Sequence, residues 1–232
     1  VNVNGTRNLL DQMSKAKISK LVFSSTAATY GEPEAIPITE EANTKPTSPY
    51  GATKLAVDQM ISDEAKSGLA AISLRYFNVA GALKSKTGWL AERHNPETHL
   101  IPNLLKSTVE KPIKIFGDDW PTKDGTCIRD YIHVVDLIDA HILALESLAS
   151  SQHKIINLGS GGGYSVNEVV NAASKVLGRD IPTEIAARRS GDPAVLIADI
   201  SLAVKHLAWT PKRDIESMVR DTWESQSAST SK

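Results

Sequence analysis

Hydrophobic and polar positions near the start of the chain alternate between helix and strand patterns. Residues 5–16 place two leucines and a methionine on one side, as an amphipathic helix does. Residues 20–25 and 70–77 are short apolar runs, which indicate buried parallel strands. A loop rich in proline and threonine over 30–48 leads into a helix that we predict to begin after Ser48, a good N-cap residue. Strand, helix and strand in this order predict a βαβ unit and therefore a parallel sheet.

The pattern becomes less regular further along the chain. We predict a short helix over 101–110 and a short strand over 113–116. An amphipathic helix over 135–149 and a strand over 154–158 follow. Ser165, with a glutamate three residues later, forms a capping-box pattern that predicts the start of another helix.

Composition and charge exclude several classes of protein. The 232 residues include 26 basic and 27 acidic ones, and the net charge of -1 argues against a nucleic-acid partner. No apolar run approaches the roughly 18 residues that would suggest a membrane span. Cys127 is the only cysteine, so an intrachain disulfide is impossible and a reducing, cytoplasmic setting fits. The histidines show no zinc-ligand spacing, and we expect no metal site.

Tyr50 and Lys54 are the first candidates for chemistry. Their i, i+4 spacing on the helix after Ser48 puts both side chains on one face. Free tyrosine has a pKa near 10, but a neighbouring ammonium and the positive end of the helix dipole both lower it. A phenol tuned in this way can exchange a proton with a substrate hydroxyl. By itself, the spacing is more typical of a surface tyrosine stacked on a lysine stem than of a catalytic pair.

Residues at the ends of the two strands are further candidates for the site of Tyr50 and Lys54. Ser24, Ser25 and Thr26 end the first strand, and Phe77 and Asn78 follow the second. In open α/β sheets, ligands bind outside the carboxyl ends of the strands, so these side chains are expected at one edge.

This ordered set of residues resembles the extended short-chain dehydrogenase/reductase family, in the branch that acts on nucleotide sugars. The similarity covers nearly the whole chain, and the stretch GTCIRDYIHV is its most specific part. That stretch lies within residues 124–134, and the similarity continues through three further stretches, at 116–117, 157–159 and 188–192.

The resemblance implies NAD-dependent interconversion of UDP-galactose and UDP-glucose. Tyr50 would be the acid and base at the sugar 4-hydroxyl, and Thr26 would bind the 4-oxygen. Lys54 would lower the pKa of Tyr50 and bind the nicotinamide ribose. Phe77 would line the nicotinamide pocket, and Asn2 matches a position near the cofactor. NAD would take hydride from C4, the keto sugar would turn over, and hydride would return to its other face.

The resemblance also implies a set of residues for the UDP-sugar. Arginine forks suit phosphate, and aliphatic and aromatic side chains would pack near the uracil. His99 stands where several relatives carry asparagine. Leu196 stands where relatives vary between tyrosine and smaller residues, so we expect some tolerance for UDP-N-acetyl sugars. The expected substrate residues are Asn78, His99, Leu100, Phe116, Arg129, Tyr131, Arg189, Asp192 and Leu196.

The family's glycine-rich dinucleotide loop is not found in these 232 residues. The glycine cluster at 159–163 follows a strand and precedes a helix, but Tyr164 occupies its third glycine position. We interpret it as a backbone turn near the nucleotide-sugar site. Relatives carry the loop at the extreme N-terminus, so the resemblance implies that the first βα units, on the order of 90 residues, are missing. We therefore expect this chain alone to bind NAD weakly and to turn over little substrate.

The expected fold class is α/β, with an incomplete Rossmann-type parallel sheet and a smaller α+β C-terminal substrate domain. Residues 1–81, with a return around 131–160, are assigned to the NAD-binding domain. Residues 82–130 and 161–224 are assigned to the nucleotide-sugar domain, and 225–232 to a disordered tail.

Alternative functions stay open at this point. Ala27 and Ala28 follow Thr26 where related dehydratases carry acidic residues, which favours an epimerase. Another epimerase or dehydratase of the same branch is one alternative, and a non-catalytic, truncated nucleotide-sugar-binding homologue is another. By analogy with the family, we expect a homodimer of the complete protein through the helices at about 5–16 and 49–65.

Overall fold

Helices and strands alternate along the chain. The computed structural model describes the backbone of residues 1–189 and 191–230, and all of their side chains except those of 229 and 230. Its helices are α1 (Asn2–Lys15), α2 (Pro49–Ala65), α3 (Leu100–Leu105), α4 (Val134–Ser147), α5 (Val166–Leu177), α6 (Ser201–Leu207) and α7 (Ile215–Thr230). Its strands are β1 (Lys20–Thr26), β2 (Ala70–Tyr76), β3 (Asn78–Ala80), β4 (Leu83–Ser85), β5 (Gly88–Leu90), β6 (Ile113–Phe116), β7 (Ile128–Arg129), β8 (Tyr131–His133), β9 (His153–Leu158), β10 (Tyr164–Ser165), β11 (Thr183–Ala186) and β12 (Val195–Leu196).

The main sheet is parallel, with the order β1-β2-β9 among the described residues. Because side chains alternate across a strand, the central strand β2 contributes to two separate cores. Ile72 and Leu74 join a core that includes residues of α4 and α6, whereas Ala71 joins one built with α1 and α2. Helices therefore cover both faces of the sheet, and the predicted α/β fold of Rossmann type is confirmed.

The start of α2 brings the helix very close to the turn after β1. The Ser48 side chain accepts a hydrogen bond from the Gly51 amide, and Pro49 is the first helical residue, as predicted. A Cβ atom on Gly51 would lie 2.3 Å from the Ala28 carbonyl oxygen. Glycine at position 51 thus lets Tyr50 sit directly against the carboxyl end of β1.

A second group of elements packs beside the sheet. Helices α3, α5 and α7 enclose a core that includes Leu104, Val169 and Met218. The capping box predicted at Ser165 is present, and Gly178 ends α5 in the left-handed conformation. Strand β6 pairs with β11 in parallel, and β7 lies between β10 and β12. The exact domain boundaries stay a prediction.

The structure differs from the sequence prediction at three helix ends. Helix α1 begins at Asn2 instead of residue 5, and α3 ends at Leu105 instead of residue 110. Residues 108 and 111 pair with each other after α3, which turns the chain away from a longer helix.

The expected disordered tail at 225–232 is the third difference. Helix α7 continues to Thr230, and Ser225 is only 2% exposed. The Ser225 hydroxyl donates to the Thr222 carbonyl one turn earlier, so this serine can be buried inside a helix without losing its hydrogen bond. The prediction rested on polar composition alone. Residues 231 and 232 lie outside the described residues.

Candidate active site and nucleotide cavity

Tyr50, Lys54 and Thr26 meet at the carboxyl end of β1. Thr26 is the last residue of β1, and its hydroxyl oxygen accepts a hydrogen bond from the Ala28 amide at 3.2 Å. The ammonium of Lys54 donates to the Ser24 carbonyl at 2.8 Å and lies 5.9 Å from the centre of the Tyr50 ring. Tyr50 is 50% exposed, so its phenol is open to a ligand. The side chains that were predicted from spacing are therefore brought together.

The electrostatics of this group differ from the prediction. Burial raises the pKa of Tyr50, Tyr76 adds to the rise, and a hydrogen bond with Thr26 lowers it in part. The predicted lowering by Lys54 is not found, because the ammonium points to the Ser24 carbonyl and not to the phenol oxygen. With a pKa above its ordinary value, the phenol is protonated at neutral pH in this arrangement.

The sequence analysis missed Asp58, which lies one turn after Lys54 on α2. Its side chain is 3% exposed, and its Oδ2 accepts hydrogen bonds from Ser25 at 3.0 Å and from the Arg75 guanidinium at 2.9 and 3.1 Å. Burial lowers the pKa of Lys54, and the Asp58 carboxylate opposes that change. The 50, 54, 58 spacing on one helix face could have indicated this residue.

Asn2 and Phe77, both expected near the cofactor, lie near this group. The Asn2 amide donates to the Thr53 hydroxyl at 3.3 Å, and that hydroxyl donates to the Tyr50 carbonyl at 2.8 Å. Phe77 is partly buried in the link between β2 and β3.

A cavity of about 430 Å³ gathers most of the expected substrate residues. Leu196 is not among its lining residues but lies in β12, paired with Arg129 across the strands. Its predicted role in sugar specificity stays a prediction. The expected residues that do line the cavity are Asn78, His99, Leu100, Phe116, Arg129, Tyr131, Arg189 and Asp192.

Positive charge predominates in this cavity. Arg129 is largely buried, and its guanidinium lies 3.9 Å from the Asp192 carboxylate. The central carbon of the Arg189 guanidinium lies over the Phe116 ring, 3.8 Å from the ring centre. The charged residues lining the cavity are Lys106, Lys111, Lys114, Arg129 and Arg189 on the cationic side, and Glu92 and Asp192 on the anionic side. This balance suits an anionic ligand.

The glycine cluster at 159–163 folds around a buried carboxylate. Asp130 is 0% exposed and accepts hydrogen bonds from the amides of Ser160, Gly161 and Ala198 at 2.6, 3.2 and 3.0 Å. Amides of this loop are therefore engaged within the protein, which supports its interpretation as a backbone turn. Asp130 was missed by the sequence analysis, although it lies between Arg129 and Tyr131.

Two histidines outside the candidate site make internal hydrogen bonds. His133 is fully buried and lies 3.1 Å from the Asp221 carboxylate, and burial lowers its pKa. His141 connects α4 to β1 through the Ser24 hydroxyl at 3.0 Å.

The fold and this site define a class of enzyme. The family model of the NAD dependent epimerase/dehydratase family matches residues 1–159. The chain belongs to this family, which confirms the resemblance found in the sequence and the cofactor that the family name specifies. No helix among the described residues is long and apolar enough to cross a membrane. The cytoplasmic setting stays a prediction.

Individual proteins are also similar to this chain in sequence and in structure. The UDP-glucose 4-epimerase of Corynebacterium glutamicum is 53% identical over 231 residues, which cover 98% of this chain and 69% of the relative. A UDP-glucose 4-epimerase from Stenotrophomonas maltophila, solved with NAD and formylated UDP-arabinopyranose, matches with a TM-score of 0.93 and 40% identity over 99% of this chain and 70% of that one. The Bifidobacterium longum enzyme with NAD+ and UDP matches with a TM-score of 0.89 and 39% identity over 99% of this chain and 70% of that one.

Proposed function

We propose that the chain interconverts UDP-galactose and UDP-glucose at carbon 4 with NAD. The observation that carries this proposal is the convergence of the expected UDP-binding residues in one cationic cavity. Asn78 lines the cavity and lies two residues beyond the end of β2. Strand β2 pairs with β1, the strand that ends at Thr26. Names and ligands of the relatives agree with this function.

The residues around Tyr50 fit the nicotinamide end of NAD. They offer an exposed phenol, an ammonium and, at Asn2, an amide, all close to one sheet edge. When bound, NAD takes a hydride from carbon 4 of the sugar and returns it. In this proposal Lys54, Thr26, Phe77 and Asn2 hold and orient the two reactants.

Tyr50 moves the proton of the reaction. As a phenolate, its oxygen would take the proton from the sugar 4-hydroxyl during oxidation, and the resulting phenol would give it back during reduction. Thr26, already in contact with the phenol, would bind the same sugar oxygen and fix its position. Because the phenol is protonated in the present arrangement, added positive charge beside it is needed before it can act as a base.

The cavity holds the UDP part while the sugar ring turns. Arg129 and Arg189 would bind the diphosphate as planar forks, and Asn78 would add an amide. Phe116 and Leu100 would pack near the uracil. Anchoring by the nucleotide leaves the 4-keto sugar free to present its other face.

The turn after β1 favours epimerisation over dehydration. Ala27 and Ala28 form the 3-10 turn that follows Thr26, and neither can act as an acid or base to eliminate water. Formation of a 4-keto-6-deoxy sugar would overturn this part of the proposal.

The test follows the conversion of UDP-galactose to UDP-glucose by proton NMR with added NAD. It uses this chain and a chimera in which the unmatched part of the Corynebacterium glutamicum relative is joined to it. We expect conversion by the chimera, weaker conversion by the chain alone, and a roughly 100-fold or greater loss of turnover with Tyr50→Phe.

UDP affinity should be unchanged in Tyr50→Phe and much weaker in Arg129→Met. A chimera that binds UDP-galactose and leaves it unchanged would refute the reaction.

We also propose that the protein forms a homodimer through α1 and α2. These helices pack on each other, and Leu9 of α1 is 51% exposed. Light scattering of the chimera, with Leu9→Glu as the disrupting variant, checks this assembly; a wild-type monomer would refute it.

A further inference from the structure

Two histidines and two glutamates converge in the loop between β5 and α3. The nitrogen and oxygen atoms that Glu92, His94, Glu97 and His99 can offer to a metal all lie within 4.8 Å of one another. His99 Nδ1 lies 2.9 Å from a carboxylate oxygen of Glu92 and 2.9 Å from one of Glu97. His94 Nδ1 contacts the same Glu92 oxygen. Sequence spacing did not indicate a metal site, and the loop fold produces this cluster.

With neutral imidazoles, the four side chains of this cluster carry excess negative charge. A neutral His99 has one proton on Nδ1 at most, yet two carboxylate oxygens approach that nitrogen. The Glu97 side chain is only 10% exposed. Two carboxylates at one imidazole favour a positive charge beside them, which a protonated imidazole or a bound cation supplies.

The geometry points to a binding site for a zinc-like divalent cation, and we propose that Glu92, His94, Glu97 and His99 are its four ligands. Two imidazole nitrogens and two carboxylate oxygens are a donor set that zinc accepts. Tetrahedral zinc with bonds of about 2.0–2.1 Å needs ligand atoms about 3.3 Å apart, which small rotations of these side chains supply. Four protein ligands would close the site, so its role is structural.

This cation would fix one wall of the nucleotide cavity. Glu92 and His99 line the cavity, whereas His94 and Glu97 do not. His99 also precedes the first residue of α3, so the metal would tie the loop to that helix. The binding of metal does not depend on the proposed reaction and can be measured without substrate.

The test measures metal binding by the whole chain. Zinc affinity is measured by calorimetry, and the geometry by the visible absorption of Co2+, which is intense for tetrahedral sites. We expect one ion per chain and at least about tenfold weaker binding in His94→Gln and Glu97→Gln. His206→Gln is the matched control, because His206 is exposed and lies outside the cluster. Its affinity should equal that of the unmodified chain.

Two outcomes would overturn the proposal. One is zinc binding that is equally strong in His94→Gln and in the unmodified chain, and the other is Co2+ without tetrahedral absorption. His94 is 61% exposed, so His94→Gln should fold even if Glu97→Gln does not.

Discussion

At the scale of single residues, the position of Lys54 decides how the candidate base can work. Its ammonium is held by the Ser24 carbonyl and lies 4.7 Å from the centre of the Phe23 ring. Asp58, one turn further along α2, favours the charged form of Lys54. The charge is therefore kept near Tyr50 without a direct contact to the phenol oxygen, and it does not lower the pKa of Tyr50 in this arrangement.

Replacing Lys54 by methionine should move the pH dependence of turnover. In the proposed complex with NAD and substrate, Lys54 supplies positive charge beside the phenol, so its loss raises the pKa of Tyr50 there and shifts the rise of kcat to higher pH. We expect kcat at pH 7–8 to fall about 100-fold, measured in the chimera with UDP-galactose. Lys66→Met is the control, because Lys66 is exposed at the other end of α2. An unchanged pH profile in Lys54→Met would contradict this role.

Replacing Asp58 by asparagine should destabilise the fold. The change leaves the Arg75 guanidinium, 2% exposed, without its counter-charge. Breaking a buried ion pair from one side costs about 3–5 kcal/mol, to be read from urea unfolding. Asp63→Asn on the same helix removes an exposed carboxylate and should change stability little. Equal effects of the two variants would show that the Arg75 pair is unimportant.

At the scale of elements, the contact between α2 and the turn after β1 shapes the active site. Gly51 allows the helix to approach the Ala28 carbonyl, which a side chain would meet at 2.3 Å. The same contact brings Tyr50 to Thr26. Gly51 therefore matters for where α2 lies against β1 more than for whether the helix forms.

Two glycine-to-alanine changes should have opposite effects. Gly51→Ala forces α2 away from Ala28, and we expect lower stability and a clear fall in kcat. A methyl group on Gly5 of α1 would meet no atom within 4 Å, so Gly5→Ala should raise the free energy of unfolding by about 0.5–1 kcal/mol. Chemical denaturation and NMR turnover check both variants. A stabilised, active Gly51→Ala would show that the close approach is not required.

At the scale of the whole molecule, histidines that are buried or partly buried connect separate layers. His153 of β9 lies 2.6 Å from the Ser62 hydroxyl of α2 and 2.8 Å from the Ser73 hydroxyl of β2. Burial lowers the pKa of both His153 and His133, so protonation opposes folding at these positions.

Stability should therefore fall as the solution becomes acidic. Unfolded histidine has a pKa near 6.5, and both folded values lie below it. Their contribution is complete above pH 6.5 and is lost as pH falls through the folded pKa values, by at most about 1.4 kcal/mol per pH unit for each histidine. Urea unfolding between pH 7.5 and 5.5 should show this slope, and His153→Gln should reduce it. His206→Gln should keep it; a slope unaffected by His153→Gln would contradict the assignment.

Local sequence determined the parts of the protein that depend on short-range interactions. Ser48 and Pro49 begin α2 through a cap and a fixed backbone angle, so the helix face shared by Tyr50 and Lys54 could be predicted. Buried parallel strands have continuous apolar runs, which placed β1 and β2 within a residue or so. Family motifs added the residues of the nucleotide cavity.

Only the tertiary structure decided features that depend on distant contacts. The direction of the Lys54 ammonium is set by a carbonyl on β1, and the burial of Ser225 is set by the packing of α7. Likewise, Glu92 and His99 meet because the loop folds back before α3. Spacing along a chain specifies neighbours on one helix or strand, whereas loop closure and packing choose which groups meet across elements.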